Sequence, residues 1–251
     1  MIRPVRHTRK GTGPDTVLFV HGTMDHSGSF RRVADHLPNW NVVGYDRRGW
    51  GASRTLTAPQ QPALSDHVDD LTTAISTLPN PVVAGHSYGA LVALTAASQH
   101  PDLVKAVVAF EPPLPWLPWW PTTAPWEQLI DDTSQQGPAA TAKALQQAVL
   151  GRPAAGQSDE ELTALGTTLI REMTDPTISL PPFDPLTMTT PVLAASGTRS
   201  LPHHQKSALH LCDLIPAGRH EHIEGAGHIA HLTHPRHFAA LVEQAITPPN
   251  S

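Results

Sequence analysis

Short, unbroken apolar runs alternate with longer segments of helical spacing along most of this chain. Thr16-Val17-Leu18-Phe19-Val20 is a continuous run, apolar after its opening threonine. Trp40 to Tyr45, Pro81 to Ala84, Val104 to Phe110 and Pro191 to Ser196 are likewise mostly apolar, with Asn41, Lys105 and Ser196 as their polar positions. Continuous runs of this length, rich in Val and Ala, are the mark of strands buried on both faces, as in a parallel sheet. Between them the pattern predicts helices over Phe30 to Leu37, Ser65 to Leu78 with Ser65 as N-cap, and Ala90 to near Pro101. Further along, a helix at 202–211, a short strand at 219–223 and a closing helix from Arg236 to Ile246 follow. The polar residues 1–15 have room for one strand before the Gly11-Thr12-Gly13-Pro14 turn, and 54–63 read as loop. Strand–helix alternation implies an α/β fold, a mostly parallel twisted sheet with helices on both faces.

The alternation stops at Pro112 and resumes near Pro185. The stretch opens with Pro112-Pro113-Leu114-Pro115-Trp116-Leu117-Pro118-Trp119-Trp120-Pro121, rigid and aromatic, and continues as helical segments at about 125–136, 138–150 and 158–174. The expected organisation is a core of residues 1–111 and 186–251, with 112–185 inserted as a helical cap. The 251 residues suit one such domain, and no internal repeat is evident.

Composition narrows the partners. The formal net charge is −5 with 16% charged residues, and no basic patch points to nucleic acid. Cys212 is the single cysteine, so a reducing compartment is expected and no intrachain disulfide. The N-terminal residues carry positive charge without an apolar run after them, so no signal peptide is expected, and no stretch approaches the ~20 apolar residues of a membrane span. A cytoplasmic protein is the expectation; the sequence does not set an oligomeric state.

Ligands of parallel α/β sheets bind at the carboxyl ends of the strands, and His21, Ser87, Glu111, Ser200 and His228 all fall there. Gly85-His86-Ser87-Tyr88-Gly89 sits between an apolar strand and an apolar helix. G-x-S-x-G in that setting is a nucleophile elbow: its glycines permit a tight strand-to-helix turn that exposes the serine hydroxyl.

Four motifs together resemble the α/β-hydrolase superfamily, and esterases and lactone hydrolases within it. They are His21-Gly22, Asp46-Arg47-Arg48-Gly49-Trp50-Gly51-Ala52-Ser53, the elbow, and Gly225-Ala226-Gly227-His228, in the family's order. The likeness implies acyl chemistry by a nucleophile, a histidine and a carboxylate. Ser87 would be the nucleophile and His228, on its glycine-lined loop, the base. Backbone N–H groups of Tyr88 and Thr23 would form the oxyanion hole. His21, Asp46 and Arg47 would brace loops. The acid departs from the common pattern. The loop after Ser196 reads Gly197-Thr198-Arg199-Ser200-Leu201, with Ser200 about where an aspartate is usual. Some branches take the acid from the end of the strand next to the elbow, where this chain has Glu111, 24 residues after Ser87. Asp213 is the other candidate acid.

Sixteen histidines complicate the reading. His228, His231 and His234, or His203 and His204, are conceivable metal ligands, but neighbouring acids or thiols do not complete a set, so no metal and no cofactor is expected. Met24, Trp116, Trp119, Trp120 and Trp126 either line a substrate pocket or anchor the cap, with Met24, Trp116, Trp119 and Trp120 carried forward as substrate-binding residues. The expected function is a serine hydrolase, an esterase or lactonase, acting on a small apolar ester or lactone through an acyl-enzyme. An acyltransferase or cyclase using the same intermediate, and a non-catalytic small-molecule binder, are the alternatives.

Overall fold

The computed structural model describes residues 6–9, 11, 13–56, 63–121, 125–152 and 155–247, with the side chains of 6–9, 55, 56 and 125–127 excepted. Strands β1 (Arg6–Arg9), β2 (Thr16–Val20), β3 (Asn41–Gly44), β4 (Val82–His86), β5 (Ala106–Phe110), β6 (Val192–Gly197) and β7 (Gly218–Ile223) form one sheet in the order β1-β3-β2-β4-β5-β6-β7. β1 is antiparallel to β3, and every other neighbouring pair is parallel. β2, β4, β5 and β6 are buried along their whole length, which is why each reads as an unbroken apolar run.

The helices are α1 (Arg31–Ala34), α2 (Leu64–Ile75), α3 (Tyr88–Gln99), α4 (Pro125–Ser134), α5 (Pro138–Leu150), α6 (Asp159–Met173), α7 (Pro202–Leu214), α8 (Ala230–Thr233) and α9 (Pro235–Ala245). Alternate residues of each central strand feed two cores. Leu18, Val20, Val83, Val107 and Ala194 pack against α2, α3 and α7. Val17, Phe19, Ala84, Val108 and Phe110 pack against Phe30, Val33 and the Phe238 face of α9. The expected α/β core is therefore observed, and α4, α5 and α6 follow β5 and precede β6 as the helical insertion expected as a cap. Among the described residues no helix is long and apolar enough to cross a membrane.

Two helix starts differ from the sequence expectation. The segment expected as Phe30 to Leu37 is a 3-10 turn at Ser27–Phe30, capped by the His26 ring accepting from Gly28 N at 3.0 Å, followed by only one turn of α1. α2 is capped at Ala63, not Ser65. Asp66 supplies the reason: its carboxylate accepts from Ala63 N at 2.9 Å, and Asp175 accepts from Leu64 N at 3.1 Å, so these free N–H groups are satisfied at the earlier start. Of the loop expected at 54–63, Arg54–Leu56 complete a 3-10 turn and 57–62 lie outside the described residues.

The turn from β4 into α3 works only because its glycines lack a Cβ. A Cβ on Gly89 would stand 2.2 Å from Val20 O, and one on Gly85 2.5 Å from the Gly89 carbonyl oxygen. Both obstacles are backbone, which cannot swing aside. Gly89→Ala should therefore destabilise by about 1–3 kcal/mol through overpacking, a drop of several degrees in midpoint for a chain of this size. Thermal unfolding followed by circular dichroism checks this, and an unchanged midpoint would contradict the packing argument.

Candidate active site

Ser87 stands at the apex of the β4–α3 turn with φ 53° and ψ −125°, a sparsely populated conformation for a residue with a side chain. Its N–H bonds to Phe110 O at 2.9 Å, so the turn is locked to the end of β5. As the first residue of α3, Tyr88 has an N–H without an intrahelical partner, available beside the serine.

Glu111 follows Phe110 directly and is fully buried. Its backbone is also in the left-handed region, φ 50°, and its N–H is held by Ala195 O at 3.0 Å. That geometry turns its carboxylate along the rim of the sheet. Oε2 meets His228 Nδ1 at 2.5 Å, while Oε1 accepts from Gly197 N at 2.8 Å and from Ser200 Oγ at 2.5 Å. Three donors, two from the end of β6 and one from the loop after β7, thus converge on one buried carboxylate. Ser200, at the place where an aspartate is usual, does not contact the histidine; it holds the acid that does. Asp213 lies exposed on α7. With Glu111 accepting at Nδ1, the proton of a neutral His228 sits on Nδ1 and its Nε2 lone pair is free. Among the described residues no hydrogen bond joins Ser87 Oγ to His228; such contacts are commonly long before substrate binds.

Aromatic rings hold His228 on two sides. His204 stacks on it with centroids 4.6 Å apart and planes 21° apart, and the His86 ring lies at 4.8 Å. His86 Nε2 donates to the His228 carbonyl oxygen at 2.8 Å. Burial first, then the charge of neighbouring histidines, lowers both His86 and His204 well below the usual histidine range, so both remain neutral at neutral pH.

The loop after β2 is braced by a buried ion pair that the sequence reading missed. Arg47 is fully buried, and its guanidinium donates to Glu172 on cap helix α6 at 2.7 and 3.1 Å. The same side chain donates to His21 O at 2.9 Å and Gly22 O at 3.0 Å. Glu172 also accepts from Thr23 Oγ1 at 2.5 Å and Trp50 Nε1 at 2.9 Å. The cap, the Trp50 loop and the His21–Thr23 loop therefore share one carboxylate. Burial alone would raise the Glu172 carboxyl; the Arg47 guanidinium outweighs it and holds it at about 2. Burial and then Arg47 lower His67 to about 3. His21 is lowered to about 4 by the same two causes, and it braces the loop by accepting from Arg47 N at 2.9 Å. Asp46 ties the neighbouring loop through Ser27 N and Ala52 N. No short-range signal could have found Glu172, which lies 125 residues from Arg47.

The tryptophans divide. Trp120 is buried and lies edge-on to His203 and His204, one ring removed from His228. Trp116 meets Phe183, and Trp119 meets His210 and the Lys206 ammonium on α7. Trp116 and Trp119, expected as substrate-binding residues, make described contacts with the Phe183 loop and with α7, and Trp116 also lines a cavity with Leu114, Leu117 and Phe183. Met24 packs beneath the cap against the cluster of Trp50, Ile130 and Leu169. The Trp126 side chain lies outside the described residues.

A strained serine turn and a histidine–carboxylate pair thus stand together at the carboxyl rim of a mostly parallel sheet, in an α/β-hydrolase fold. A family model for the alpha/beta hydrolase fold matches residues 15–152, more than half of the chain, and the chain belongs to that family. It is similar to the pimeloyl-(acyl-carrier protein) methyl ester esterase of Chromobacterium violaceum, 45% identical over 105 residues, 41% of this chain and 39% of that protein. It is also similar to lipase LipV of Mycobacterium tuberculosis, 35% identical over 109 residues, 40% and 38% of the two. The matched stretches span about two fifths of these relatives. A hydrolase from Oleispira antarctica shares the fold over 96% of this chain and 93% of its own, with a TM-score of 0.73 at 20% identity.

Removing one partner of a fully buried ion pair strands the other. Glu172→Gln should cost about 3–5 kcal/mol in urea unfolding at pH 7, whereas Glu161→Gln, in an exposed capping box, should cost about 1 kcal/mol or less. Equal effects would contradict the role given to the pair. The same groups set the acid limit. Glu172 lies below its ordinary value of 4.5 and His67 below 6.5, so the unfolded chain binds protons more readily than the folded one. Their stabilisation is complete above pH 6.5 and is lost as pH falls, through the histidine first and then the carboxylate. Unfolding midpoints measured from pH 7 to pH 3 should decline steadily; a flat profile would contradict this.

Proposed function

We propose that this protein is a serine hydrolase that cleaves carboxylic esters or lactones through an acyl-enzyme, with Ser87, His228 and Glu111 as its triad. The observation that carries the reading is the Glu111–His228 hydrogen bond formed at the same sheet rim as the strained Ser87 elbow. Ser87 Oγ attacks the carbonyl carbon while His228 Nε2 takes its proton. Glu111 keeps the imidazole in the Nδ1–H tautomer and stabilises the imidazolium that forms. The carbonyl oxygen, now negative, is held by the backbone N–H groups of Tyr88 and Thr23. His228 then passes its proton to the leaving alkoxide, the C–O bond breaks, and an acyl-serine remains. A water, deprotonated by His228, attacks that ester and releases the carboxylic acid and Ser87. In a lactone the alkoxide stays tethered, so one hydroxy acid is the product.

The named relatives are lipases and esterases, which supports ester chemistry. The apolar packing of Met24 beneath α4 and α6 favours a small apolar acyl group. Residues 112–185 form the cap of this reading, and 1–111 with 186–251 its core.

Ser87→Ala should abolish hydrolysis of a short p-nitrophenyl ester, with circular dichroism unchanged. Glu111→Gln should lower kcat by about 10³–10⁴-fold, in line with loss of tautomer control, while Asp213→Asn should leave it within about twofold. Turnover by the Ser87→Ala protein would overturn the mechanism, and the reverse ranking of the two acid variants would overturn the choice of Glu111.

A further inference from the structure

The fold gathers a second set of donors beside the triad. Asp25 from the loop after β2, His86 from the end of β4 and His231 from α8 each present one donor atom within 4.8 Å of the other two. His86 and His231 are 5% and 1% exposed, and the Asp25 side chain 18%. Spacing along the chain hides this set, because the histidines that cluster in sequence with His231 are His228 and His234.

The hydrogen bonding of the three residues is incomplete in a specific way. A carbonyl oxygen only accepts, so His86 carries its proton on Nε2, which donates to His228 O. The lone pair on His86 Nδ1 is then buried with no hydrogen-bond partner. Neither ring nitrogen of His231 has one either, although both are buried. His231 Nε2 stands 3.3 Å from Asp25 Oδ2, an ion-pair contact that falls outside hydrogen-bond geometry, and it is the one ion pair the His231 ring has among the described residues. Two ligands held at about 2.0–2.1 Å by one tetrahedral ion lie about 3.3 Å from each other. Side chains left unsatisfied in a protein interior ask for a cause, and an absent ion is one.

The surroundings are those of ligand supports. A backbone carbonyl on the far nitrogen of His86 fixes its tautomer, as outer-sphere partners of metal-bound histidines do. The Asp25 carboxylate is oriented by Ser29 Oγ at 2.9 Å and His26 N at 2.8 Å, and the His231 ring is stacked on Phe30 at 4.9 Å. We infer that Asp25, His86 and His231 form a binding site for a single borderline divalent cation such as zinc, with water completing a tetrahedron. Two imidazoles and one carboxylate match that class of ion, whereas calcium and magnesium prefer all-oxygen sets. The ion would tie the loop that carries Thr23, the strand that leads into Ser87 and the helix after His228. The other close set, Glu111, His204 and His228, includes two members of the proposed triad, and there both carboxylate oxygens are already hydrogen-bonded.

The test uses chelator-dialysed full-length protein. Calorimetric titration with zinc chloride should show one equivalent bound with a Kd of about 1 µM or tighter, and zinc should raise the unfolding midpoint, because it binds the folded state. Cobalt(II) should give the intense visible bands of a tetrahedral ion. Asp25→Asn and His231→Asn should each weaken binding at least about tenfold, with folding checked by circular dichroism. The His234→Asn/His237→Asn double variant and Ser87→Ala should bind as the parent does, which separates this site from the hydrolytic reading. If His231→Asn fails to fold, Asp25→Asn alone decides. No stoichiometric zinc uptake by the parent, uptake unchanged in the Asp25 and His231 variants, or uptake lost in His204→Asn but kept in His231→Asn would each overturn the inference.

Discussion

The Arg47–Glu172 pair is the interaction on which the functional end of this molecule depends. Two opposite charges are removed from water, with exposures of 0% and 1%. Their desolvation is offset only because every polar atom has work nearby. The guanidinium bonds the carboxylate in a two-pronged fork and also takes two carbonyl oxygens of the His21–Gly22 loop. The carboxylate takes Thr23 and Trp50 in addition. Buried pairs are weak evidence for stability, since apolar replacements of similar volume are often neutral. What this one supplies is placement: cap helix α6 cannot shift without moving the loop beside Ser87.

Backbone strain lies in the same region. Among the described residues, Met24, Asn80, Ser87 and Glu111 are the non-glycine positions with positive φ. Asparagine tolerates that conformation in a turn, but the other three stand at the ends of β2, β4 and β5. Such positions persist only where neighbouring structure over-determines them. Here Phe110 O holds Ser87 N, and Ala195 O holds Glu111 N. Rotating Glu111 into the left-handed region brings its carboxylate under His228, and Ser200, from the strand end beyond, completes its coordination. The carboxylate that meets His228 thus comes from the end of β5, and Ser200, after β6, supplies a hydrogen-bond donor to it.

Much of this was legible. The central strands read correctly because burial on both faces leaves no polar position to confuse the pattern. The elbow read correctly because its steric demand is local: a Cβ at Gly85 or Gly89 would strike backbone. Glu111 was named from its place at the end of a buried strand together with the family branches that carry an acid there, and the structure puts its carboxylate on His228 Nδ1. Helix starts were less legible, since a cap is chosen by whichever side chain reaches the free N–H groups, and for α2 that is Asp66 with Asp175 from 111 residues away. The tryptophans were ambiguous because an apolar ring packs equally well on a ligand or on α7.

The sequence by itself determined the layered α/β core, the helical insertion between β5 and β6 and the serine turn, because each rests on periodicity or on sterics within a few residues; the empty aspartate position was legible only against the pattern of the family that the chain resembles. Tertiary structure alone decided that Glu172 braces the Thr23 loop, that Ser200 supports Glu111 and that Asp25, His86 and His231 meet. Those contacts join segments far apart in the chain, and their partners follow from the sheet's strand order and the loops' turns, which no local pattern encodes.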